Sequence, residues 1–246
     1  MKMRIALCLA LITVGISSLS AQFGKKPVGN NNYVTITKPV EDFNKLTIWP
    51  KVNVYHKVNP DSVGQVRIYG EENIIHLLDF TVNKGKMNIA FINNMSVDFG
   101  FITINIYSSD LTEAEVAGEG VLELKSQIAN PEIKLIVGGN GQIDAKNLHA
   151  GVVKAHIAGG GDIKMAGRTG YASYTVNGSG EIRGRELVAE EVNCNSTGTG
   201  DILCNAEKLI KARLIGTGNV YYDGDPVIKK TVIGKGKIIK QDAATK

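Results

Sequence analysis

The sequence is short of the residues from which most active sites, metal centres and disulfide frameworks are built: three cysteines, four histidines and one tryptophan among 246 residues. The histidines, His56, His76, His149 and His156, show no metal-ligand spacing. Cys8 falls inside an N-terminal apolar segment, so only Cys194 and Cys204 remain beyond it, and two cysteines make no framework. Charge of one sign is also scarce. The formal net charge is +4, or +2 once Lys2 and Arg4 are set aside with the N-terminal segment, too little and too evenly mixed with acids to argue for nucleic acid. No stretch beyond residue 21 approaches the ~20 apolar residues of a membrane-crossing helix. Aromatics make up only 6% of the chain, and its 28 glycines lack the strict triplet period of collagen.

What is present begins with an export signal. Lys2 and Arg4 form a basic start, Ile5 to Ile16 an apolar stretch, and Ser17-Ser18-Leu19-Ser20-Ala21 a small-residue exit, which predicts cleavage after Ala21. The mature chain of about 225 residues is then expected in the periplasm, on the outer-membrane surface or outside the cell, and is long enough for one large all-β domain. Residues 22–32 read as a flexible leader.

Residues 33–112 read as a β-rich part. Runs such as Tyr33-Val34-Thr35-Ile36, Leu46-Thr47-Ile48-Trp49, Val52-Asn53-Val54-Tyr55-His56 and Gln65-Val66-Arg67-Ile68-Tyr69 are rich in β-branched and aromatic residues and bounded by Pro, Asn, Asp or Gly. Glu72 to Phe80 is the one candidate for a short helix. Asn93 to Phe101 is an apolar loop, expected to fold over the sheet as core or to serve as a contact surface. Trp49-Pro50 invites the same two readings, packing or a sugar-stacking platform.

Residues 113–240 carry the organising feature, the triplet Gly-x-Gly. It recurs at Gly118 and Gly120, Gly139 and Gly141, Gly159 and Gly161, Gly178 and Gly180, Gly198 and Gly200, Gly216 and Gly218, and Gly234 and Gly236. A spacing of roughly twenty residues is the signature of a stacked array. Two residues before the triplet stand Val137, Ile157, Val176, Ser196, Leu214 and Val232; two after it stand Leu122, Ile143, Ile163, Ile182, Ile202, Val220 and Ile238. Alternation of period two points these inward, and the glycines become corner pieces that supply φ > 0 and close backbone approach. Leu148, Leu187 and Leu209 are expected to mark a second corner. The expected fold is all-β: a right-handed parallel β-helix, a β-solenoid of about six or seven Gly-x-Gly rungs, with the N-terminal strands capping or extending one end and a polar tail at 241–246.

Outward positions form ladders. The residue after each triplet is Gln142, Asp162, Glu181, Asp201, Asn219 and Lys237 in turn. Asp162, Glu181 and Asp201 make a candidate binding face, resembling what a calcium site or the acid pair of a carbohydrate-cleaving enzyme needs, or else a solvated face balanced by Lys164 and Arg183. Lys134, Lys154, Lys211 and Lys229 make a basic counterpart, a solvated face or a contact for acidic glycans. Gly178 to Gly184 matches G-x-G-x-x-G, yet no helix follows to hold a phosphate. Ser196 stands where an aliphatic residue is expected, with no base near it in the pattern. No catalytic constellation and no cofactor or metal site is expected.

The order Asp42-Phe43-Asn44-Lys45-Leu46, Val52-Asn53-Val54, Val66-Arg67-Ile68, Gly70-Glu71-Glu72-Asn73, Gly85-Lys86-Met87-Asn88-Ile89, then serial Gly-x-Gly-[Asp/Glu]-Ile, resembles the auto-transporter adhesin family with the head GIN domain. Trp49-Pro50 departs from it, standing where a glycine turn is expected. The resemblance implies a β-helical protein exported by a Bacteroidetes-type bacterium and acting in adhesion, and it brings no catalytic residues with it. The expected function is that of a non-enzymatic adhesin or scaffold for a surface partner, glycan or protein. The competing expectation is a carbohydrate-active module using the Asp162/Glu181/Asp201 face.

Overall fold

The computed structural model describes residues 26–241; the expected signal at 1–21 and the tail beyond 241 lie outside the described residues. The fold is nearly all-β with almost no helix, and most of its strands stack in parallel as a β-solenoid. Two faces of the column meet at the Gly-x-Gly corner. The face before the corner is built, in spatial order, from β6 (Lys86–Phe91), β2 (Lys45–Ile48), β8 (Glu113–Val116) and β10 (Glu132–Val137). It continues through the later parts of β11 (Gln142–Gly159), β12 (Asp162–Gly178), β13 (Glu181–Gly198) and β14 (Ile202–Gly216), and ends on β16 (Val227–Gly234). The face after the corner runs β7 (Thr103–Ser108), β3 (Asn53–Val58), β9 (Val121–Leu124), then the early parts of β11 to β14, β15 (Val220–Asp223) and β17 (Ile238–Lys240).

The N-terminal strands thus extend the column, and they do so out of chain order. The rung β2–β3 comes first in sequence but lies second in space, between β6–β7 and β8–β9. Antiparallel strands finish this end: β1 (Tyr33–Pro39) pairs with β4 (Gln65–Glu71), β4 with β7, and β5 (Leu78–Asn83) with β6. The helix expected over Glu72 to Phe80 is only the four residues of α1, Glu72–Ile75. Leu78 and Phe80 belong to β5, whose hydrogen bonds to β6 outweigh a weak local helical preference.

Inward positions are the predicted ones. Val137, Ile157, Val176, Ile143, Ile163, Ile182, Ile202 and Val220 are fully buried, forming one continuous core. Leu148 and Leu187 are buried at the second corner, but Leu209 is only half-buried and pairs with Glu191, because the register shifts there and Ala206 takes the inward place beside Ala189. Among the described residues no strand lies above the last rung. Val232 and Ile233 are 38% and 57% exposed, and Lys229, Lys230, Lys235 and Lys237 line this free end. Lysine on an open edge discourages pairing with another chain.

The corner glycines answer mainly to close approach, and positive φ is confined to part of them. Gly159, Gly178, Gly198, Gly216 and Gly234, the first glycines of the later triplets, have φ from 123° to 151°. Gly118 and Gly139 do not, and neither does any second glycine: Gly120, Gly141, Gly161, Gly180, Gly200, Gly218 and Gly236 all lack positive φ. This corrects the expectation that every corner glycine supplies it. The chain turns the corner at the triplet, and first and second glycines alike stand directly over the backbone of the rung below. A Cβ at Gly141 would come within 2.7 Å of the Gly120 carbonyl oxygen; one at Gly218 would collide with the Gly200 carbonyl oxygen, and one at Gly236 with that of Gly218. Gly218 and Gly236 thus keep the clamp up to the last rung of the described residues.

Size complementarity inside one rung links two further residues. Tyr174 is fully buried, and a Cβ at Gly184 would lie 2.7 Å from its hydroxyl, so the missing side chain of Gly184 makes the room that the phenol fills. Cys194 and Cys204, beside it, are buried free thiols, and the Cys204 partner and burial together hold the Cys194 thiol protonated. The Tyr174 hydroxyl has no hydrogen-bond partner. An orphaned buried hydroxyl destabilises the fold by ~1–3 kcal/mol. Tyr174→Phe is therefore expected to raise the melting temperature or leave it unchanged, whereas Gly184→Ala should lower it; differential scanning calorimetry of the two variants checks both signs.

Candidate functional site

The acidic face is accounted for by neighbours. The Arg183 guanidinium donates two hydrogen bonds to Glu181, at 3.0 and 2.8 Å, and lies 3.6 Å from Asp162. Asp201 Oδ1 accepts the backbone N–H of Asn219 at 2.7 Å, and Asn219 Oδ1 accepts that of Lys237 at 3.0 Å. These side chains cap the free amide one rung above, which is a structural task. Among the described residues no group of three or more His, Cys, Asp or Glu is placed to hold a metal ion. The basic ladder is broken as well: Lys154 and Lys211 are separated in register by Ser173 and Asn193, and Lys134 and Lys154 pair with Glu113 and Glu132. The Ser196 hydroxyl donates to the Gly200 carbonyl at 2.9 Å and closes its own corner, so it is no free nucleophile.

His56 points into the core of the β2–β3 rung. Its Nε2 lies 2.7 Å from Ser108 Oγ, whose hydroxyl hydrogen is donated to the Asp110 carbonyl at 2.6 Å, so Nε2 carries the proton of a neutral ring. Burial lowers its pKa from 6.5 to about 4, against a smaller opposing pull from Asp110. The folded state therefore resists a proton that the unfolded chain accepts below pH ~6.5. Stability from this group is complete above that pH and is lost as pH falls toward 4, by about 3 kcal/mol in total. Urea midpoints measured from pH 7.5 to 4 are expected to fall across this window, and more shallowly for His56→Leu.

The surface becomes irregular at the N-terminal end of the corner. Beneath Gly118-Glu119-Gly120 the corner is Trp49-Pro50-Lys51: a Cβ at Gly120 would lie 2.8 Å from the Pro50 carbonyl oxygen, and one at Gly118 would collide with that of Trp49. One rung further, the corner between β6 and β7 is the loop 92–102. Met95, Val97 and Phe99 pack on the core, while Trp49 and Phe101 are 57% and 50% exposed. Two grooves flank this loop. One, of about 460 Å³, is lined by Trp49, Pro50, Ala90, Phe91, Asn94 and Met95. The other, of about 450 Å³, lies along Lys51, Asn53 and residues 97–102.

The loop is tied down from behind. Glu71, 2% exposed, accepts the backbone N–H of Gly100 and of Asn31, each at 2.9 Å. Residues 27–29 lie against the loop, with Asp98 N–H donating to the Pro27 carbonyl at 2.9 Å and Gly29 N–H to the Asp98 carbonyl at 2.8 Å. Tyr33 stacks on Phe101 at 5.0 Å and on Tyr69 at 5.7 Å.

The sequence pattern of the family described as "Putative auto-transporter adhesin, head GIN domain" matches residues 42–226. The chain belongs to this family. Solved structures of similar fold come from Bacteroides and Parabacteroides species. A putative adhesin of Bacteroides fragilis is 26% identical with a TM-score of 0.80, over 89% of this chain and 100% of the other. One of Parabacteroides merdae is 23% identical with a TM-score of 0.69, over 87% and 98%. A Parabacteroides distasonis protein described as a putative lipid binding protein shares the fold at 24% identity and a TM-score of 0.71, over 89% and 100%. No curated protein matches. The head GIN assignment implies binding to some partner, and among the described residues no helix is long and apolar enough to cross a membrane.

The residues singled out in the sequence fall into two groups. Asp162 and Glu181 meet through Arg183, and Asp201 serves the next rung. Trp49 and the 93–101 loop lie together at one corner. Lys51, Asn53 and Asp98 had no signal of their own; the departure from glycine at Trp49-Pro50 was the available pointer.

Proposed function

We propose that this chain is an exported, non-enzymatic adhesin or scaffold of the cell envelope, and that it holds a surface partner, glycan or protein, at the corner formed by Trp49, Pro50 and the loop 92–102. The observation that carries this reading is the placement of exposed aromatic rings and two grooves where the tight glycine corner is replaced. Exposed large apolar side chains gathered at one place mark contact surfaces. The acidic face presents charges already engaged by neighbours, and fold by itself does not establish function. Engagement of Asp162, Glu181 and Asp201 with Arg183 and Asn219 favours this reading over hydrolysis on that face.

Pull-down from envelope extracts with the purified chain, run beside a polysaccharide-turnover assay, tests it. A specific captured partner with no turnover is the expected result. Turnover of a polysaccharide that disappears in Asp162→Asn would overturn it.

A further inference from the structure

We infer that the groove along Lys51, Asn53 and residues 97–102 is a saccharide subsite that takes one neutral pyranose ring of a larger glycan. This deepens the adhesin reading and rests on it. The groove's volume, about 450 Å³, falls within the roughly 300–1,000 Å³ typical of small-ligand sites.

Its lining combines the two features that sugar recognition needs. One is a flat apolar platform. Phe101 is 50% exposed, and Tyr33, stacked on it at 5.0 Å, fixes the ring. The C–H bonds on one face of a pyranose carry slight positive charge and rest against the negative face of an aromatic ring. The other feature is a set of polar groups with hydrogen-bonding capacity to spare. Asp98 and Asn53 are exposed in the lining, and among the described residues neither side chain has a hydrogen bond or ion pair. A carboxylate accepts from sugar hydroxyls, and an amide both donates and accepts. Lys51, at the rim, is held 3.5 Å from Glu119. With Lys51 already engaged by Glu119, the unpaired Asp98 carboxylate leaves the groove negative, which disfavours a uronate or a sulfated sugar and favours a neutral one.

The site is built in advance of any ligand. The backbone of Asp98 is bound on both sides by residues 27–29, and Gly100 N–H is held by the buried Glu71 carboxylate, so the structure uses the loop's main chain and leaves the side chains of Asp98 and Phe101 outward. Such preorganisation removes the ordering cost that a loop otherwise imposes on binding. The acidic ladder has no such spare groups, because its carboxylates are already bonded.

The test is an array of neutral oligosaccharides of glucose, galactose, mannose and N-acetylhexosamines, followed by calorimetric titration of any hit against four proteins: wild type, Phe101→Ala, Asp98→Asn and Asp162→Asn. The expected result is a hit whose Kd rises about ten- to a hundredfold in Phe101→Ala, the range of a lost aromatic anchor, and rises also in Asp98→Asn, with Asp162→Asn unchanged. Asp98→Asn keeps all backbone contacts, so it reports on the groove even where Phe101→Ala disturbs the ring stack. A hit that both groove variants leave unchanged overturns the site. No hit at all overturns the saccharide assignment, while capture of a protein partner in the envelope pull-down would leave the adhesin reading standing.

Discussion

Gly180→Val is expected to prevent the column from closing, with the folded β-sheet signal lost or the melting temperature lowered by roughly 10 °C or more. The reason is stacking distance. A Cβ at Gly180 would lie 2.7 Å from the Ile157 side chain and closer still to the Gly161 carbonyl oxygen. Neither can yield, since Gly161 is itself clamped above the Gly141 backbone and Ile157 is fully buried. Overpacking and local strain of this kind cost about 3 kcal/mol or more, and in a domain of this size each kcal/mol shifts the midpoint by about 2–4 °C. Ser179→Ala in the same corner should change the midpoint little, because position 179 faces outward. Circular dichroism melts of both variants separate a corner effect from a general intolerance of substitution.

Ile182→Asp should be at least as damaging. Ile182 is fully buried mid-column, paired with Ile163 below and Ile202 above. The substitution removes the packing of a large side chain, worth ~2–5 kcal/mol, and places a carboxylate where no partner awaits it. The introduced carboxyl would have its pKa raised in the folded state, so the stability deficit relative to wild type should be smallest below pH ~4 and grow as pH rises. Asp201→Asn, one rung on, keeps its Oδ1 acceptor for the Asn219 amide and should unfold within a degree or two of wild type.

The regular part of this column was legible because its period is rigid. Once the triplets at Gly178 and Gly198 are aligned, Ile182 and Ile202 must point the same way, and both are buried. The N-terminal end was not, for two physical reasons. First, strand order departs from chain order: nothing local in Leu46-Thr47-Ile48 says that it will lie between Met87-Asn88-Ile89 and Ala114-Glu115-Val116. Second, a corner needs glycine only where another tight corner lies beneath it. A Cβ at Gly178 points at the Gly159 carbonyl and one at Gly118 at the Trp49 carbonyl. Below Trp49 the chain swings out as the loop 92–102, so a tryptophan fits where the triplet pattern requires glycine. That same exception creates the grooves, so the feature hidden from the pattern is the one proposed to bind.

The acidic ladder shows the converse. Asp162, Glu181 and Asp201 are conspicuous in an alignment of repeats, but a ladder of identical positions also supplies identical structural needs. Here those needs are amide caps and an arginine bridge.

The most direct test of where this protein binds is adherence of the fluorescently labelled chain to intact bacterial and host-cell surfaces. A Trp49→Ala/Phe101→Ala variant is compared with an Asp162→Asn/Glu181→Gln/Asp201→Asn variant, each first shown to be folded. Binding abolished by the corner pair and retained by the ladder triple is the predicted result. Binding retained by the corner pair and abolished by the ladder triple would contradict it.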